Sequence, residues 1–270
     1  MYIWFSLLKD FNYYSYIKLI KVFKSSINIY EYSKNYNLFI NLLTENKISL
    51  SNEALVSITN FDIKKKAKKL YEFFLRKNVL VVPIYSKNYP KQLYNIDIPP
   101  LCIFIYGKID ILNKNIVYLY NGKFSKYGQK VYLDFSKYIA SKNISLIGNN
   151  CSKEEITVNI KVFKEFKEST INEYLSKLSF EKVNIFLINE FNEIYEYYLL
   201  SSLAKFIVIL EASYDDINKL KLIVDFAIEQ GKDILVTPGN IYNKYAYFSN
   251  YLIKQGANIL LSKHDIDSYI

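Results

Sequence analysis

The stretch IVYLYNGKFSKYG, residues 116–128, decides the fold. It opens with an apolar run at 116–120 and passes through a loop that holds two glycines and two lysines. It then enters a helix that we expect to continue to about residue 142. A continuous apolar run of this length is typical of a parallel strand that is buried on both faces. The stretch therefore predicts a strand, a loop and a helix in succession, the repeating unit of an α/β fold.

The same alternation extends along the chain in both directions. Another helix is expected at 217–230. Apolar runs predict further strands at 79–83, 101–106, 144–147, 183–188, 206–210 and 234–236. The sequence thus predicts an open, mostly parallel α/β sheet with helices on both faces.

Residues 1–80 are predicted to form a small helical N-terminal domain. Its last helix is predicted at 64–76, with Asn60 or Asp62 as the capping residue. The inner stripe of that helix is predicted to be Ala67, Leu70, Tyr71, Phe74 and Leu75. The lysine-rich run at 64–69 is expected to form a solvated face, with electrostatic contact to phosphates as the alternative.

The composition is that of a globular protein and excludes several kinds of site. Of the 270 residues, 51% are hydrophobic and 23% are charged, enough to bury a core without disulfides or metals. Two cysteines cannot form a disulfide framework or a Cys-rich zinc site, and the single histidine, His264, argues against a Ser-His-Asp triad. Cys102 and Trp4 are expected in the core.

No targeting segment is recognisable. Residues 1–8 are apolar but lack a basic start, and Lys9 and Asp10 end the run. No apolar run approaches the roughly 18 residues that a membrane helix needs. We therefore expect a cytoplasmic protein with no membrane partner.

The net charge of +9 is unevenly distributed. Residues 1–130 carry 20 basic and 8 acidic side chains, whereas the remaining residues have more acidic than basic ones. A basic first half predicts a polyanionic partner such as nucleic acid. The alternative is codon bias, because Arg76 is the only arginine and lysine, asparagine, isoleucine and tyrosine are abundant.

Three loops follow predicted strands and are candidates for a ligand site. They span residues 121–128, 148–150 and 237–240. In open α/β sheets, ligands bind at the carboxyl ends of the strands. Glycines at such a loop let backbone N–H groups approach a phosphate, and lysines add positive charge. We therefore expect a shallow cationic surface here, with ordinary strand–helix turns as the alternative. The acidic pairs Glu154-Glu155 and Asp215-Asp216 are expected to be solvated.

Three motifs occur in a characteristic order and spacing. The first comprises Tyr89-Pro90, Ile98-Pro99-Pro100 and Tyr106-Gly107, and the second is Ser125-Lys126-Tyr127-Gly128. The third, the most specific, comprises AIEQGK at 227–232, TPGNI at 237–241, SNYLI at 249–253 and Gly256-Ala257. In order and spacing these motifs resemble those of the DNA-processing protein A (DprA/Smf) family, and the resemblance covers roughly residues 80–262.

The resemblance implies a Rossmann-like domain at 81–270 behind the helical domain at 1–80. In a departure from the family pattern, no C-terminal winged helix is expected. It also implies a single-stranded DNA-binding protein that loads RecA recombinase in natural transformation. Such a protein would act as a homodimer, would not be an enzyme and would need no cofactor or metal. Lys123 and Lys126 are expected to contact phosphates, and backbone N–H groups near Ser125 and Gly128 to complete the cradle. The predicted DNA-binding residues are Gly122, Lys123, Ser125, Lys126, Tyr127, Gly128, Gly148, Pro238, Gly239, Asn240 and Asn250.

Departures from the family pattern leave two alternatives open. The family's arginine-bearing segment aligns with residues 196–202, which contain no arginine, and lysine replaces an arginine clamp only as a point charge. A decayed paralogue that acts only as a protein-interaction partner is therefore one alternative. A nucleoside-monophosphate-binding Rossmann-like enzyme is the other, although its Pro-Gly-Gly-x-Gly-Thr-x-x-Glu motif is replaced by Pro-Gly-Asn-Ile at 238–241.

Overall fold

The computed structural model describes residues 1–120, 122–148, 154–188 and 192–270, without the side chains of residues 192 and 193. The predicted loop residues Asn121, Asn149 and Asn150, and Cys151, lie outside this part of the chain. Within it, none of the helices combines the length and the apolar character needed to span a lipid bilayer.

The chain divides into two compact units. Unit 1 comprises Met1–Tyr106, Val162–Ser176 and Phe186–Asn192, and unit 2 comprises Gly107–Lys161, Lys177–Ile185 and Glu193–Ile270. The division into a small helical domain at 1–80 and a Rossmann-like domain at 81–270 stays a prediction.

Helices fill the N-terminal part of unit 1, as predicted. They are α1 (Tyr2–Phe5), α2 (Tyr13–Phe23), α3 (Ser26–Tyr32), α4 (Tyr36–Glu45), α5 (Asn52–Thr59) and α6 (Phe61–Arg76). Helices α2 to α6 each begin at a side-chain oxygen that accepts a backbone N–H of the first turn. These caps are Asn12, Ser25, Asn35, Ser51 and Asn60. They satisfy N–H groups that have no partner within the helix.

The rest of unit 1 packs around a short antiparallel ladder. It contains β1 (Leu80–Pro83), α7 (Lys91–Tyr94), β2 (Cys102–Gly107) as far as Tyr106, and α9 (Glu168–Ser176). Leu80 lies opposite Ile105, and β1 and β2 run antiparallel. The rings of Phe74 and Phe104 are 4.5 Å apart, which packs α6 against β2. Trp4 and Cys102 are buried, as predicted.

Helix α6 covers the predicted residues 64–76 and begins earlier, at Phe61. The face predicted to be buried is partly wrong. Asn60 caps the helix, and Ala67, Leu70 and Phe74 are buried as predicted. Tyr71 and Leu75 are exposed, and Phe73 is buried instead. Phe73 follows Leu70 by three residues and so lies on the same face, whereas Tyr71 and Leu75 are rotated further toward solvent.

Lys64 departs from the solvated face predicted for residues 64–69. Lys65, Lys66, Lys68 and Lys69 are exposed, but Lys64 is only 5% exposed. Its Nζ donates to the Ser33 hydroxyl at 2.8 Å and lies 5.3 Å and 4.9 Å from the ring centres of Trp4 and Tyr30. Aromatic faces stabilise a cation that has left water. Burial, with a smaller contribution from Lys34, nevertheless lowers the pKa of Lys64 to about 8.

Unit 2 supplies the parallel part of the sheet. It contains β3 (Ile116–Leu119), β4 (Ser145–Gly148), β5 (Ile156–Phe163) as far as Lys161, β6 (Val183–Ile188) as far as Ile185, β7 (Phe206–Ile209), β8 (Asp233–Val236) and β9 (Asn258–Ile259), which complete the strands of the described residues. Helices α8 (Lys126–Ser141), α10 (Asn192–Leu203), α11 (Ile217–Glu229) and α12 (Tyr247–Lys254) alternate with them. The nine strands are ordered β1-β2-β6-β5-β4-β3-β7-β8-β9. The predicted class, a mostly parallel Rossmann-like sheet after a helical N-terminus, is confirmed.

Parallel pairing gives the central strands of unit 2 one common direction. Val117 of β3 lies opposite Leu146 of β4, and Leu119 lies opposite Val208 of β7. Val208 in turn lies opposite Leu235 of β8. All these pairs are parallel, so the carboxyl ends of the four strands lie at one edge of the sheet.

Both faces of this sheet are covered. One face packs with α8 in a cluster that includes Val117, Leu119, Phe135, Ile139, Val208 and Leu235. Side chains alternate between faces along a strand. The alternate residues Ile116, Tyr118, Ile207 and Ile209 are also buried, so the opposite face is covered as well.

Strand β5 was not predicted from the sequence. Its residues ITVNIKVF place polar side chains at Thr157, Asn159 and Lys161, which breaks the continuous apolar run used to recognise the other strands. Asn159 is nevertheless buried and donates from its amide to Asn184 at 2.8 Å. The amide donor of Asn159 thus has a polar partner on another strand, which lowers the cost of this burial, and that partner is not visible in the local sequence.

Lys64 gives unit 1 a testable dependence on pH. In the folded chain the pKa is lowered from 10.5 to about 8, so between these values the unfolded chain holds a proton that the folded chain releases. Stability from this group therefore rises with pH across that window. Between about pH 7.5 and pH 9.5 we expect the free energy of unfolding to gain about 1–2 kcal/mol from Lys64.

Urea unfolding at several pH values measures this gain. Lys64→Met removes the titrating group and should flatten the profile in that window. Lys68→Met, at an exposed position of the same helix, should leave the profile unchanged. Equal slopes for the wild type and Lys64→Met would contradict the assignment.

Candidate functional site

Three segments of unit 2 meet at the carboxyl edge of β3, β7 and β8. We call residues 122–128, 211–216 and 237–250 the rim. Tyr120 N donates to Val208 O at 2.9 Å, and Thr237 N donates to Ile209 O at 3.0 Å. Phe248 N donates to Ala212 O at 3.0 Å. These backbone bonds hold the three segments together, so the described loop residues 122–128 and 237–240 share one edge, as their positions after parallel strands predict.

Ser125 is the residue that begins α8. Its Oγ accepts from Gly128 N at 3.0 Å and donates to Glu211 Oε1 at 2.7 Å. Its backbone N–H donates to Glu211 Oε2 at 2.8 Å. Glu211 is only 4% exposed. A carboxylate of the chain itself therefore occupies the Ser125 N–H, which the sequence assigned to a phosphate, and the Ser125 hydroxyl as well.

The same carboxylate leaves no room for a side chain at position 128, which is a glycine. It has no left-handed backbone conformation, but a Cβ added to it would overlap the Glu211 carboxylate. The glycine thus allows close approach to an internal anion. It is buried, which differs from the predicted open cradle for DNA.

A second carboxylate, Asp216, lies beside Lys123. Its Oδ2 accepts from Lys123 N at 3.3 Å and from the Ser213 hydroxyl at 2.9 Å. Tyr120 also hydrogen-bonds to Asp216; burial and this carboxylate raise the pKa of the phenol. Gly122 lies against the Tyr120 hydroxyl, where a Cβ would overlap it. Asp216 is half-buried, so the prediction that the Asp215-Asp216 pair is solvated is wrong for this residue.

The side chain of Asn250 fixes the loop after β8 through two hydrogen bonds to Gly239. Pro238, Gly239 and Asn240 are exposed, as a binding loop requires. Asn250 Oδ1 accepts from Gly239 N, and its Nδ2 donates to Gly239 O, both at 3.0 Å. Asn240 Oδ1 accepts from Tyr242 N at 2.9 Å. The amide of Asn250 therefore positions the loop.

Gly148 ends β4 at the same edge of the sheet, as predicted. It is buried, and a Cβ added to it would meet the Ile156 side chain at 2.6 Å. The residues that follow it, 149–153, lie outside the described part of the chain. In this structure Gly148 packs against β5, and its predicted DNA contact stays a prediction.

The charge of the rim is balanced. Lys123 and Lys126 are exposed, and Lys244 lies on the segment after β8. Glu211, Asp215 and Asp216 supply an equal number of acidic groups. The cationic surface that the sequence predicted is therefore a surface of mixed charge, because the acids that follow β7 were not included in it.

The parallel strands, the helices that cover them and the loops at the carboxyl edge define a Rossmann-like α/β protein. Among solved structures, DNA processing protein A (DprA) from Streptococcus pneumoniae is similar at 16% identity with a TM-score of 0.58, covering 90% of this chain and 96% of that chain. The Helicobacter pylori protein of the same name, described for its unique single-stranded DNA binding mode, is similar at 12% identity with a TM-score of 0.54. That alignment covers 70% of this chain and 94% of the other. No protein-family model and no curated protein matches the sequence.

Sequence reasoning missed Glu211. The loops after three other strands were considered, but the segment after β7 was not. A usable signal existed, because Glu211 is a charged residue directly after the apolar run at 206–210 and thus at the carboxyl edge of the sheet. Its partner Ser125 is 86 residues away in sequence, so the pairing itself had no local signal.

The contact between Gly128 and Glu211 can be tested by a double-mutant cycle. Gly128→Ala should lower the free energy of unfolding by about 1–3 kcal/mol, because the Cβ displaces a hydrogen-bonded buried carboxylate. In a Glu211→Ala background the same substitution should cost little or stabilise by up to about 1 kcal/mol, since alanine is the better helix former.

Urea unfolding of the four proteins measures this coupling. Gln129→Ala, at the exposed neighbouring position of α8, serves as the control and should change stability by less than about 0.5 kcal/mol. An equal cost of Gly128→Ala in both backgrounds would show that Glu211 is not the obstacle.

Proposed function

We propose that this protein binds single-stranded DNA along the rim without reading its sequence. The observation that carries the proposal is the meeting of three loops at the carboxyl edge of neighbouring parallel strands, with Lys123 and Lys126 exposed on one of them. Ligands of open α/β sheets bind at this edge. The fold likeness to the H. pylori protein, which is described as binding single-stranded DNA, supports the same choice of ligand.

The residues of the rim take two kinds of role in this proposal. Lys123, Lys126 and the exposed loop Pro238–Asn240 contact the strand, the lysines as point charges on phosphates. Ser125, Gly128 and Asn250 position the loops, through Glu211 in the first two cases and Gly239 in the third. Gly122, Tyr127 and Gly148 stay predicted contacts.

The wider role follows the family resemblance and is part of the proposal. The protein would protect incoming DNA and load RecA recombinase onto it during natural transformation. It would act in the cytoplasm as a homodimer and as a binding protein without a cofactor. The overlap with the S. pneumoniae structure, 90% of this chain, is compatible with a common architecture for that role.

A second candidate function is supported by the acidic groups of the rim. Glu211 and Asp216 accept N–H bonds from Ser125 and Lys123, which removes donors that a phosphate would otherwise use. A protein that kept this fold only as an interaction partner would not need those donors. Under this alternative the chain has no measurable affinity for DNA.

Fluorescence anisotropy with labelled oligo-dT distinguishes the two candidates. We expect binding that is tighter at about 50 mM than at about 500 mM salt, because phosphate contacts release counterions. In Lys123→Ala/Lys126→Ala the salt dependence should become weaker. The magnitude of the slope of log K against log salt should decrease by about 1.4, because each single-strand phosphate contact contributes about 0.7.

The matched control removes two exposed lysines from unit 2 at other positions. Lys137→Ala/Lys254→Ala changes the net charge equally and should keep the wild-type slope. Equal slopes for both double variants would remove the lysines of the rim from the proposal. Absence of salt-sensitive binding in the wild type would favour the interaction partner.

A further inference from the structure

Four tyrosines of the rim are exposed. Tyr127, Tyr214, Tyr242 and Tyr247 are 70%, 67%, 91% and 55% exposed. Aromatic side chains stabilise a fold when they are buried, and exposed apolar groups that cluster mark interaction surfaces. These four rings lie on all three segments of the rim, which places exposed aromatic faces at the edge where open α/β sheets bind ligands.

The segments that carry these tyrosines follow three neighbouring strands. Tyr127 is in the first turn of α8 after β3, Tyr214 lies after β7, and Tyr242 and Tyr247 lie after β8. Strand β7 lies between β3 and β8 in the sheet. The rings of Tyr214 and Tyr247 are 5.5 Å apart at 71°. The bond from Phe248 N to Ala212 O fixes the two segments at the same place.

The backbone donors of the rim are largely engaged already. Ser125 gives its N–H and O–H to Glu211, and Lys123 gives its N–H to Asp216. A phosphate would have to displace these carboxylates, one of which is buried. What the rim offers to a ligand is therefore its side chains, the tyrosine rings and the lysines.

We call Tyr127, Tyr214, Tyr242 and Tyr247 the tyrosine row, in the order of the strands β3, β7 and β8 that precede them. The lysines of the rim lie on the two outer segments of this row. Lys123 and Lys126 are on the segment after β3, next to Tyr127. Lys244 is on the segment after β8, with its Nζ 5.2 Å from the ring centre of Tyr245. Positive charge at both ends with aromatic faces between them matches a short polyanion whose middle is made of flat rings, which is the chemistry of a single nucleic acid strand.

We propose that the rim holds single-stranded DNA mainly by stacking its bases on Tyr214, Tyr247 and their neighbours Tyr127 and Tyr242. Lys123, Lys126 and Lys244 contact phosphates at the ends of the row. This inference rests on the proposed function and specifies how the strand is held. The four tyrosines follow three neighbouring strands, which are about 4.8 Å apart, so the site is short and holds only a few nucleotides.

Base stacking suits a site that does not read sequence. Every base has an aromatic face, so a tyrosine platform accepts all of them. The balanced charge of the rim limits the contribution of phosphate contacts, which makes the rings the larger source of affinity. The strand is then recognised by its unpaired bases, since the bases of a duplex are stacked on each other and unavailable.

The test compares two probes of equal charge. One is labelled dT12, and the other is a 12-unit abasic phosphodiester oligomer with the same backbone. We expect the wild type to bind dT12 about 10-fold or more tightly than the abasic oligomer, as stacking on several rings requires. Tyr214→Leu/Tyr247→Leu should weaken dT12 binding about 10-fold and leave the abasic oligomer unaffected.

Two further variants keep the test decisive. Tyr214→Phe/Tyr247→Phe retains the rings and should bind dT12 like the wild type. Tyr14→Leu/Tyr36→Leu changes exposed tyrosines of unit 1 and should also bind dT12 like the wild type. Circular dichroism spectra that match the wild type show that the leucine variants fold.

The outcomes separate this inference from the proposed function. If dT12 and the abasic oligomer bind equally well and the leucine variant of the rim binds both normally, the stacking proposal is overturned while DNA binding stands. If neither probe binds the wild type, the proposed function itself fails. If the phenylalanine variant loses affinity as the leucine variant does, hydroxyl contacts replace stacking and the inference is again overturned.

Discussion

The bond between the Glu211 carboxylate and Ser125 is the contact on which the rest of the rim depends. It joins the end of β7 to the start of α8 across 86 residues of sequence. Hydrogen bonds to a charged group contribute about 1.5–3 kcal/mol, and a buried carboxylate without them would destabilise the fold severely. The carboxylate also leaves no room for a side chain at position 128, so one buried charge determines the cap, the glycine and the course of the loop.

This contact changes how the edge of the sheet can hold a polyanion. A helix N-terminus after a glycine-containing loop is ordinarily an anion site, because free N–H groups and the helix dipole favour negative charge. Here Glu211 supplies that negative charge from within the chain. In the proposed function an external strand is therefore held by side chains, and lysines are point charges without the forked geometry of arginine. The exposed tyrosines are the groups that we propose for contact with its unpaired bases.

Lys64 in unit 1 shows the same principle with the opposite sign. Its ammonium group is removed from water but is compensated by the Ser33 hydroxyl and by the faces of Trp4 and Tyr30. The Glu31 carboxylate contributes a smaller electrostatic stabilisation, and the lowered pKa of Lys64 shows that the compensation is incomplete. Each unit thus buries a charged residue of a type that is ordinarily exposed to solvent.

The local sequence determined the elements whose causes are local. Continuous apolar runs identified β3, β4, β7 and β8, the cap at Asn60 identified α6, and the common direction of parallel strands brought the loops to one edge. Only the tertiary structure decided the burial of Lys64, the inclusion of β5 in the sheet and the pairing of Glu211 with Ser125. The physical reason is that a polar or charged side chain can be buried only where distant residues supply its partners, and those partners are set by the fold and not by neighbouring residues in the chain.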